Sequence, residues 1–352
     1  MKNQEIFTLN DSELWTRLLE SCKQSDIHFT PEYMKIFEDH VGGKAQLFVE
    51  RLGKNFLIYP FFLRRINDLP FFKKLDENYF DIISPWYFGG PLISSDENKT
   101  ELLKNFLSNF HSFCEKNNIV TEFSRLFPIS DFSETFANLV NADYRYDAAY
   151  IDLTQSLDSI WKNFKKSNRN SITAAERRDV KVEISNSNES LENFFVLYNQ
   201  SMDRLHAGNF YKFPLSFFQN IMNTLKGSVI IATATQQKIP IASSMFLFKY
   251  GIVHYWLSGS DSNYWKYYPN NLLLHKTIIW AKEQGNKIIL LMGGTSSGLR
   301  FFKESFSNTR LKFYTYSKVH DVTVYNKLNE IRESEDKELV GKNLNFFPLY
   351  RR

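Results

Sequence analysis

The feature that most constrains this chain is an order of predicted elements that occurs twice. In each half, two helices precede a β-hairpin, and a strand, a loop, a helix and a further strand follow. The hairpins turn at 52–55 and at 236–238, between runs in which polar and apolar residues alternate. Because one order of elements is repeated, the sequence predicts two tandem domains.

The same order predicts the fold class. It is α+β, with a mixed, mostly antiparallel sheet flanked by helices in each domain. The last strand of each half follows a helical crossover and should therefore lie parallel to its neighbour. We place the first domain at 1–148 and the second at 149–320. For residues 321–352 the sequence predicts a helix followed by a basic tail.

Charge and composition exclude several function classes. The net charge is +4 over 352 residues, too weak for a general nucleic-acid coat, although a local basic patch is compatible with it. The two cysteines, Cys22 and Cys114, cannot form a disulfide framework and suit a reducing cytoplasm. No apolar run approaches the ~20 residues that span a bilayer. We expect a cytoplasmic protein that has no transmembrane segment and does not bind DNA.

Four segments carry a resemblance to a known family. They are SPWYFGGPL (84–92), IWKNFKKSNRNSITAAERRDVKV (160–182), LYNQSMDRLHAGNFYKF (197–213) and LMGGTSSGLRFFKESF (291–306). In order and spacing they resemble the tandem GNAT-like acyltransferases of the Fem group, which transfer amino acids from tRNA to peptidoglycan precursors. They are still more similar to the GNAT-like proteins of surface-polysaccharide loci. The resemblance covers about residues 30–318.

The resemblance implies two GNAT-like domains, with the acyl donor in the second and the acceptor between them. It also implies that the tail at 321–352 packs back on the first domain. In such folds, proximity and oriented dipoles can drive amide formation, so no catalytic triad is required. The chain has neither G-x-S-x-G nor HExxH, and we expect no metal and no bound cofactor.

The catalytic candidates are Lys303, His206 and Tyr255. By the resemblance, Lys303 would line the donor channel and face the acyl carbonyl or a phosphate; the alternative is a solvated lysine on a helix. His206 could accept a proton, although a lone histidine is more often structural.

Arg204 is the first candidate for substrate binding. It matches the arginine of the family segment, where its guanidinium would bind the diphosphate of the acceptor. The alternative is a surface arginine beside Asp203. The other substrate-binding candidates follow in the same segment and in a polar aromatic loop, which could hold a sugar or simply be a packed loop: Tyr211, Lys212, Asp261, Tyr264, Tyr268 and Asn270.

A basic run between positions 162 and 181 supplies candidates for donor binding, because phosphate-rich molecules such as tRNA bind such runs. The donor candidates are Lys162, Lys166 and Arg169, which one continuous helix would place on one face, together with Phe302. The alternative is a solvated helix face.

The co-substrate is left open between acyl-CoA and aminoacyl-tRNA. The segment YWKYYPNN (264–271) replaces the glycine turn that holds the CoA pyrophosphate in ordinary GNAT enzymes. The long helical arm of some Fem enzymes is also absent from the sequence pattern.

These observations lead to a first hypothesis and two alternatives. The first is an acyltransferase or aminoacyltransferase that forms an amide on an amino-sugar nucleotide or a lipid-linked precursor of peptidoglycan or polysaccharide. The second is an enzyme of the same fold that uses acyl-CoA on a cytoplasmic sugar. The third is a non-catalytic binding or scaffold protein of such a pathway.

Overall fold

The computed structural model describes residues 4–294, 296–337, 341 and 346–352. Its contacts divide the chain into two compact units, Met1–Tyr146 with Lys312–Arg352, and Asp147–Leu311. Each unit has a mixed, mostly antiparallel sheet with helices beside it, so the predicted fold class is confirmed. The domain boundaries at 148 and 320 stay predictions.

The first unit has the strand order β1-β2-β3-β4-β6-β13, with elements numbered along the chain. Among the strand pairs of its described residues, β4 with β6 is the parallel one, and the short β5 pairs with β3. The strands are β1 (Gln4–Thr8), β2 (Lys44–Leu52), β3 (Asn55–Arg65), β4 (Phe80–Ile83), β5 (Leu92–Ile93), β6 (Ile119–Arg125) and β13 (Thr309–Val319). The helices are α1 (Ser12–Glu20), α2 (Pro31–Val41), α3 (Lys99–Lys116), α4 (Asp131–Leu139) and α11 (Val322–Glu335).

Helix α3 builds much of the core of this unit. Leu102, Phe106 and Phe110 recur every four residues, so they share one helix face and are buried together. Phe110 lies 5.1 Å from Phe48 of β2, and Phe106 lies 5.2 Å from Tyr59 of β3, measured between ring centroids. These aromatic side chains thus pack the helix against the sheet.

The last residues of the chain are fixed to this unit through the buried carboxylate of Asp81. Arg64 donates to it at 2.7 Å, Arg351 donates to it as well, and the Tyr350 hydroxyl lies 3.1 Å away. Burial alone would raise the pKa of Asp81, but the two guanidinium groups outweigh burial and lower it. The Tyr350 hydroxyl also lies 2.7 Å from that of Thr121, which ties the C-terminal residues to β6.

The second unit repeats this architecture, with the strand order β7-β12-β11-β10-β9-β8. Only β11 and β12 are parallel, and helix α9 makes the predicted crossover between them. The strands are β7 (Asp143–Asp152), β8 (Lys181–Ser185), β9 (Val229–Gln236), β10 (Ile239–Lys249), β11 (Ile252–Ser260) and β12 (Ile288–Met292). The helices are α5 (Leu157–Asn163), α6 (Lys166–Arg177), α7 (Asn188–Arg204), α8 (Leu215–Thr224), α9 (Pro269–Glu283) and α10 (Ser297–Glu304).

The final strands of the two units are exchanged along the chain. Strand β7 follows the first half, yet it pairs with β12 in the second unit. Strand β13 follows the second half, yet it pairs with β6 in the first unit. Each unit is therefore completed by a strand from outside its own sequence half.

Among the described helices, none is long and apolar enough to cross a membrane.

Strands β11 and β12 pair over a short stretch only. Ile252–His254 pair with Ile288–Leu290, after which β11 continues to Ser260 beside β10, and β12 continues beside β7. A β-bulge in β11 interrupts the register with β10 next to this point, because Met245 and Phe246 pair with Leu257 and Tyr255 and leave Trp256 as the extra residue. The two parallel strands therefore separate at their carboxyl ends.

Gly259 provides a test of how α7 packs on β11. A Cβ there would overlap the backbone of Leu197 and Tyr198, so we expect Gly259→Ala to lower the free energy of unfolding by about 1–3 kcal/mol. Gly208→Ala is the matched control, because nothing lies within 4 Å of its added Cβ and its φ of −60° suits alanine. Urea denaturation measures both, and equal stability of the two variants would contradict this packing.

Candidate active site

Lys303 lies where β11 and β12 separate. Its side chain comes from α10 and is only 7% exposed. The Nζ atom donates a hydrogen bond to the carbonyl of Gly293, directly after β12, at 2.8 Å. It also lies 5.8 Å from the ring centroid of Tyr255, the first residue of β11 beyond the pairing with β12. Lys303 therefore bridges the two separated strands.

The electrostatics of Lys303 are unusual for a lysine. None of the ion pairs of the described chain includes it, and burial lowers its pKa to about 8. A lysine of this kind remains mostly protonated near neutral pH but releases its proton far more readily than a surface lysine. Buried ionisable groups without a counter-charge are concentrated at functional sites.

Tyr255 and Phe302 complete the surroundings of Lys303. The Tyr255 hydroxyl donates to Ser258 Oγ at 3.0 Å. Burial raises the pKa of Tyr255 and outweighs the opposite effect of the hydrogen bond with Ser258, so the phenol stays protonated. The Phe302 ring lies 6.4 Å from that of Tyr255 and packs on Phe306. Three of the predicted residues, Lys303, Tyr255 and Phe302, thus lie together.

The turn that leads into α10 depends on a close backbone approach. A Cβ at Gly294 would lie 2.6 Å from the amide nitrogen of Arg300, which only glycine avoids. Ser296 caps the helix by accepting from the Leu299 amide. These contacts fix the direction in which α10 starts, and with it the position of Lys303 in the last turn, whose side chain points back toward Gly293.

Arg204 is placed differently from the expectation. Its guanidinium donates to the Ser260 carbonyl at 3.1 Å and to Ser201 Oγ at 3.0 Å, and it stacks 5.0 Å from the centroid of Trp265. Asp203 pairs with Lys212 instead. Arg204 thus ties α7 to the end of β11.

The neighbours of Arg204 lie near the surface. His206 is exposed at a φ of 49°, in the turn that ends α7. Tyr211 is 45% exposed, and its carbonyl accepts from the Tyr198 hydroxyl at 2.8 Å. Among the described residues, no hydrogen bond, ion pair or ring contact joins His206, Tyr211 or Lys212 to Lys303.

The polar aromatic loop is a folded 3₁₀ turn. Asp261 caps it by accepting from the Asn263 amide at 2.9 Å, and Tyr264 packs on the core of the unit. Tyr268 has a φ of 55° and carries the Arg178 guanidinium 5.5 Å from its ring centroid. The Asn270 Oδ1 atom is buried and has no hydrogen-bond partner within the described residues.

The prediction of one basic helix face is wrong. Lys162 lies on α5, whereas Lys166 and Arg169 lie on α6, because the buried Phe164 adopts an extended conformation between the helices. Lys162 and Lys166 are exposed, but Arg169 donates to the carbonyls of Lys162 and Phe164. Arg169 therefore closes the end of α5.

Sequence reasoning missed several residues of this region. Trp265 is 50% exposed beside Arg204, and Phe301 is 55% exposed with its ring centroid 4.8 Å from the Nζ atom of Lys165, a member of the predicted basic run. The carbonyls of Gly293 and Ser260 have no sequence signal, since every residue carries such a group. The dense aromatic residues in both segments were the only available indication.

Comparison with known proteins agrees with this geometry. Residues 162–303 match the model of the acetyltransferase (GNAT) domain. A comparison with curated protein sequences gives no match.

Similar solved structures span nearly the whole chain. The crystal structure of FemX is 12% identical, with a TM-score of 0.69 over 92% of this chain and 99% of that one. L-PGS from Bacillus licheniformis is 16% identical, with a TM-score of 0.53 over 96% and 99%. A tandem GNAT protein from the clavulanic acid biosynthesis pathway is 9% identical, with a TM-score of 0.50 over 89% and 98%. The domain match over 162–303 and the similarity to these structures confirm the predicted fold, a tandem arrangement of GNAT-like acyltransferase domains.

The buried state of Lys303 has a measurable consequence for stability. The folded chain releases this proton at about pH 8, against 10.5 for a free lysine, so the unfolded chain binds more protons between these values. We expect the free energy of unfolding, relative to that of Lys303→Met, to rise by about 3 kcal/mol from pH 8 to pH 10.5.

Urea denaturation across this pH range measures the difference. Lys226→Met, at an exposed position of the same unit, is the control and should follow the unmodified chain. Parallel pH profiles for the unmodified chain and Lys303→Met would show that Lys303 is not held in a desolvated site.

Proposed function

We propose that this protein is an acyltransferase or aminoacyltransferase that forms an amide on an amino-sugar nucleotide or a lipid-linked cell-envelope precursor in the cytoplasm. The observation that carries this proposal is the buried Lys303, which joins the Gly293 carbonyl and Tyr255 at the separated ends of β11 and β12. The similarity to FemX supports an amino-acid donor, and the GNAT domain match supports acyl-CoA.

The site fits the charge changes of amide formation. The acceptor amine attacks the acyl carbonyl, and the carbonyl oxygen becomes negative in the tetrahedral intermediate. Lys303 is the group we assign to stabilise that oxygen, since a cation in a water-poor site acts more strongly than one in water. The attack forms the C–N bond, and collapse of the intermediate restores the C=O bond and breaks the C–O bond of an aminoacyl ester or the C–S bond of a thioester. The amine proton passes to the leaving group.

Tyr255 is the candidate proton donor in this scheme. Its phenol stays protonated because burial raises its pKa, and Ser258 fixes the direction of the hydroxyl. His206 stays a candidate proton acceptor on sequence grounds alone. It is exposed, and within the described part of the chain no hydrogen bond or ion pair connects it with Lys303.

The proposed binding residues divide into two groups. For the acceptor, we assign the Arg204–Trp265 pair to a sugar or diphosphate, because an exposed ring and a guanidinium suit these groups. The remaining acceptor candidates are Tyr211, Lys212, Asp261, Tyr264, Tyr268 and Asn270. For the donor, the exposed Lys162 and Lys166 suit phosphate groups, and Arg169 supports them by fixing the end of α5.

A transfer assay read by mass spectrometry tests the proposal. The protein is mixed with UDP-amino sugars, lipid-linked precursors, acyl-CoAs, charged tRNA and ATP, with and without RNase. A mass gain that RNase abolishes identifies aminoacyl-tRNA as the donor. A gain indifferent to RNase identifies acyl-CoA, and its appearance on a simple sugar would favour the second hypothesis. No transfer by a folded protein that still binds a precursor would favour a scaffold and contradict the proposal.

Variants at Lys303 test its assigned role. We expect Lys303→Met to lower kcat by about 10²–10³-fold while the Tm is unchanged or higher, because a buried charge is removed with the side-chain volume kept. Lys226→Met should retain full activity. Transfer that persists in Lys303→Met at the normal kcat would remove Lys303 from the mechanism.

A further inference from the structure

The last residue of β12 has an unusual backbone conformation. Met292 has a φ of 62°, which places it in the left-handed region, and its side chain is buried. Residues with a Cβ atom are uncommon in this region, and for a residue branched at Cβ the conformation is a genuine outlier. Among the described residues, the other non-glycine residues with such a φ lie outside the strands, whereas Met292 lies within one.

A change of register accompanies this conformation. Leu290 pairs with Tyr150 of β7, but the next pair joins Met292 to Ala149. Leu291 is therefore an extra residue in β12, which makes this point a β-bulge. The bulge and the left-handed residue together end the regular part of β12.

The β7 side of the bulge is held by the chain that follows α10. The Tyr150 carbonyl accepts hydrogen bonds from the hydroxyls of Ser307 and Thr309, the latter at 2.7 Å. The end of β12 and the segment after α10 are thus both fixed around the same position of β7.

The residue after Met292 supplies a hydrogen-bond acceptor for Lys303. The torsion angles of Met292 set the direction of the next peptide and so fix the position of Gly293. The Gly293 carbonyl accepts from the Nζ atom of Lys303 at 2.8 Å. In the described part of the chain, this is the hydrogen bond that the ammonium group makes.

We propose that Met292 is a positioning residue for Lys303, because its left-handed backbone places the Gly293 carbonyl where the ammonium group donates to it. An unbranched side chain tolerates this backbone. A side chain branched at Cβ would favour the extended conformation and turn the carbonyl away from Lys303. The importance of the contact for acyl transfer rests on the function proposed for Lys303, whereas the contact itself does not.

A role in packing alone makes a different prediction. Met292 is buried, so the loss of its side chain lowers stability whatever its backbone does. Two substitutions separate the roles. Glycine adopts the left-handed conformation freely but removes the side chain. Isoleucine keeps most of the side-chain volume but disfavours this conformation.

The protonation of Lys303 reports whether its contact with Gly293 is present. Burial already lowers the pKa of Lys303 to about 8, and loss of the hydrogen bond removes support from the charged form. We expect that loss to raise the acid dissociation constant of Lys303 by about 10–100-fold. Tyr255 is a titratable group that faces Lys303, and its phenol stays neutral because burial raises its pKa.

The test is an NMR titration of the full chain, labelled with ¹³C at the lysine Cε atoms. The signal of Lys303 is the one that is absent from Lys303→Met. In Met292→Ile, its midpoint should move to lower pH by about 1–2 pH units. Met292→Leu is the matched control, because leucine is unbranched at Cβ and of similar volume, and it should titrate like the unmodified chain.

Met292→Gly gives a second, independent measurement. This variant should be less stable to urea because a buried side chain is lost, yet the midpoint of Lys303 should stay where it is in the unmodified chain. A midpoint that moves in Met292→Gly would overturn the proposal, because packing of the side chain would then hold Lys303. Equal midpoints in Met292→Ile and Met292→Leu would overturn it as well. If Met292→Ile does not fold, Met292→Gly decides alone.

The titration does not depend on transfer activity, so it separates this inference from the proposed function. A normal kcat in Lys303→Met would remove Lys303 from the mechanism and leave the titration result unchanged. If both proposals hold, Met292→Ile should lower kcat and shift the pH profile of transfer in the same direction as the Lys303 midpoint.

Discussion

Strands β11 and β12 pair through only three residues each, and the candidate site exists because this pairing stops. Beyond His254 and Leu290, β11 stays hydrogen-bonded to β10, while β12 stays hydrogen-bonded to β7. Parallel strands that separate leave backbone donors and acceptors that need other partners. On the β12 side, Gly293 finds its partner in Lys303. The position of Lys303 therefore depends on strand separation, which leaves the Gly293 carbonyl without a strand partner, and α10 supplies the side chain that donates to it.

The energetic cost of burying Lys303 becomes clear by comparison with a second buried charged residue, Asp81. Asp81 is fully buried but has two guanidinium groups and a tyrosine hydroxyl around it, and its pKa is lowered despite its burial. Lys303 has one carbonyl and an aromatic ring, and its pKa is lowered because the ammonium is poorly compensated. The first arrangement stabilises the docking of the C-terminal residues. The arrangement around Lys303 destabilises its ammonium form. A negative oxygen that develops on the substrate would stabilise that same ammonium form.

Local patterns in the sequence predicted the elements well, because hairpins, crossovers and amphipathic helices depend on nearby residues. The turns at 52–55 and 236–238 and the crossover through α9 are examples. The sequence could not show that β7 and β13 would each pair in the other half of the molecule, since strand pairing of this kind depends on distant partners. At the site, the resemblance pointed to Lys303, but both Lys303 and Arg204 donate to a backbone carbonyl, and no side-chain pattern reveals such a partner. The break at Phe164 was missed because one buried aromatic residue overrode the helical propensity of its basic neighbours.

The separation of β11 and β12 also explains why we assign the proposed acyl transfer to the second unit, although the first unit has the same order of elements. In the first unit, β4 and β6 correspond to β11 and β12, but the backbone after β4 returns to β6. Gly89 donates to the Arg125 carbonyl at 2.6 Å and accepts from the Phe127 amide at 3.0 Å, forming a parallel bridge with Leu126. A Cβ at Gly89 would overlap the Ser84 side chain, so glycine is what permits this approach. The backbone groups of β6 that would otherwise lack partners are satisfied by the chain itself. An acyl group would have to displace these hydrogen bonds in the first unit, whereas in the second it meets a separated pair of strands and a lysine.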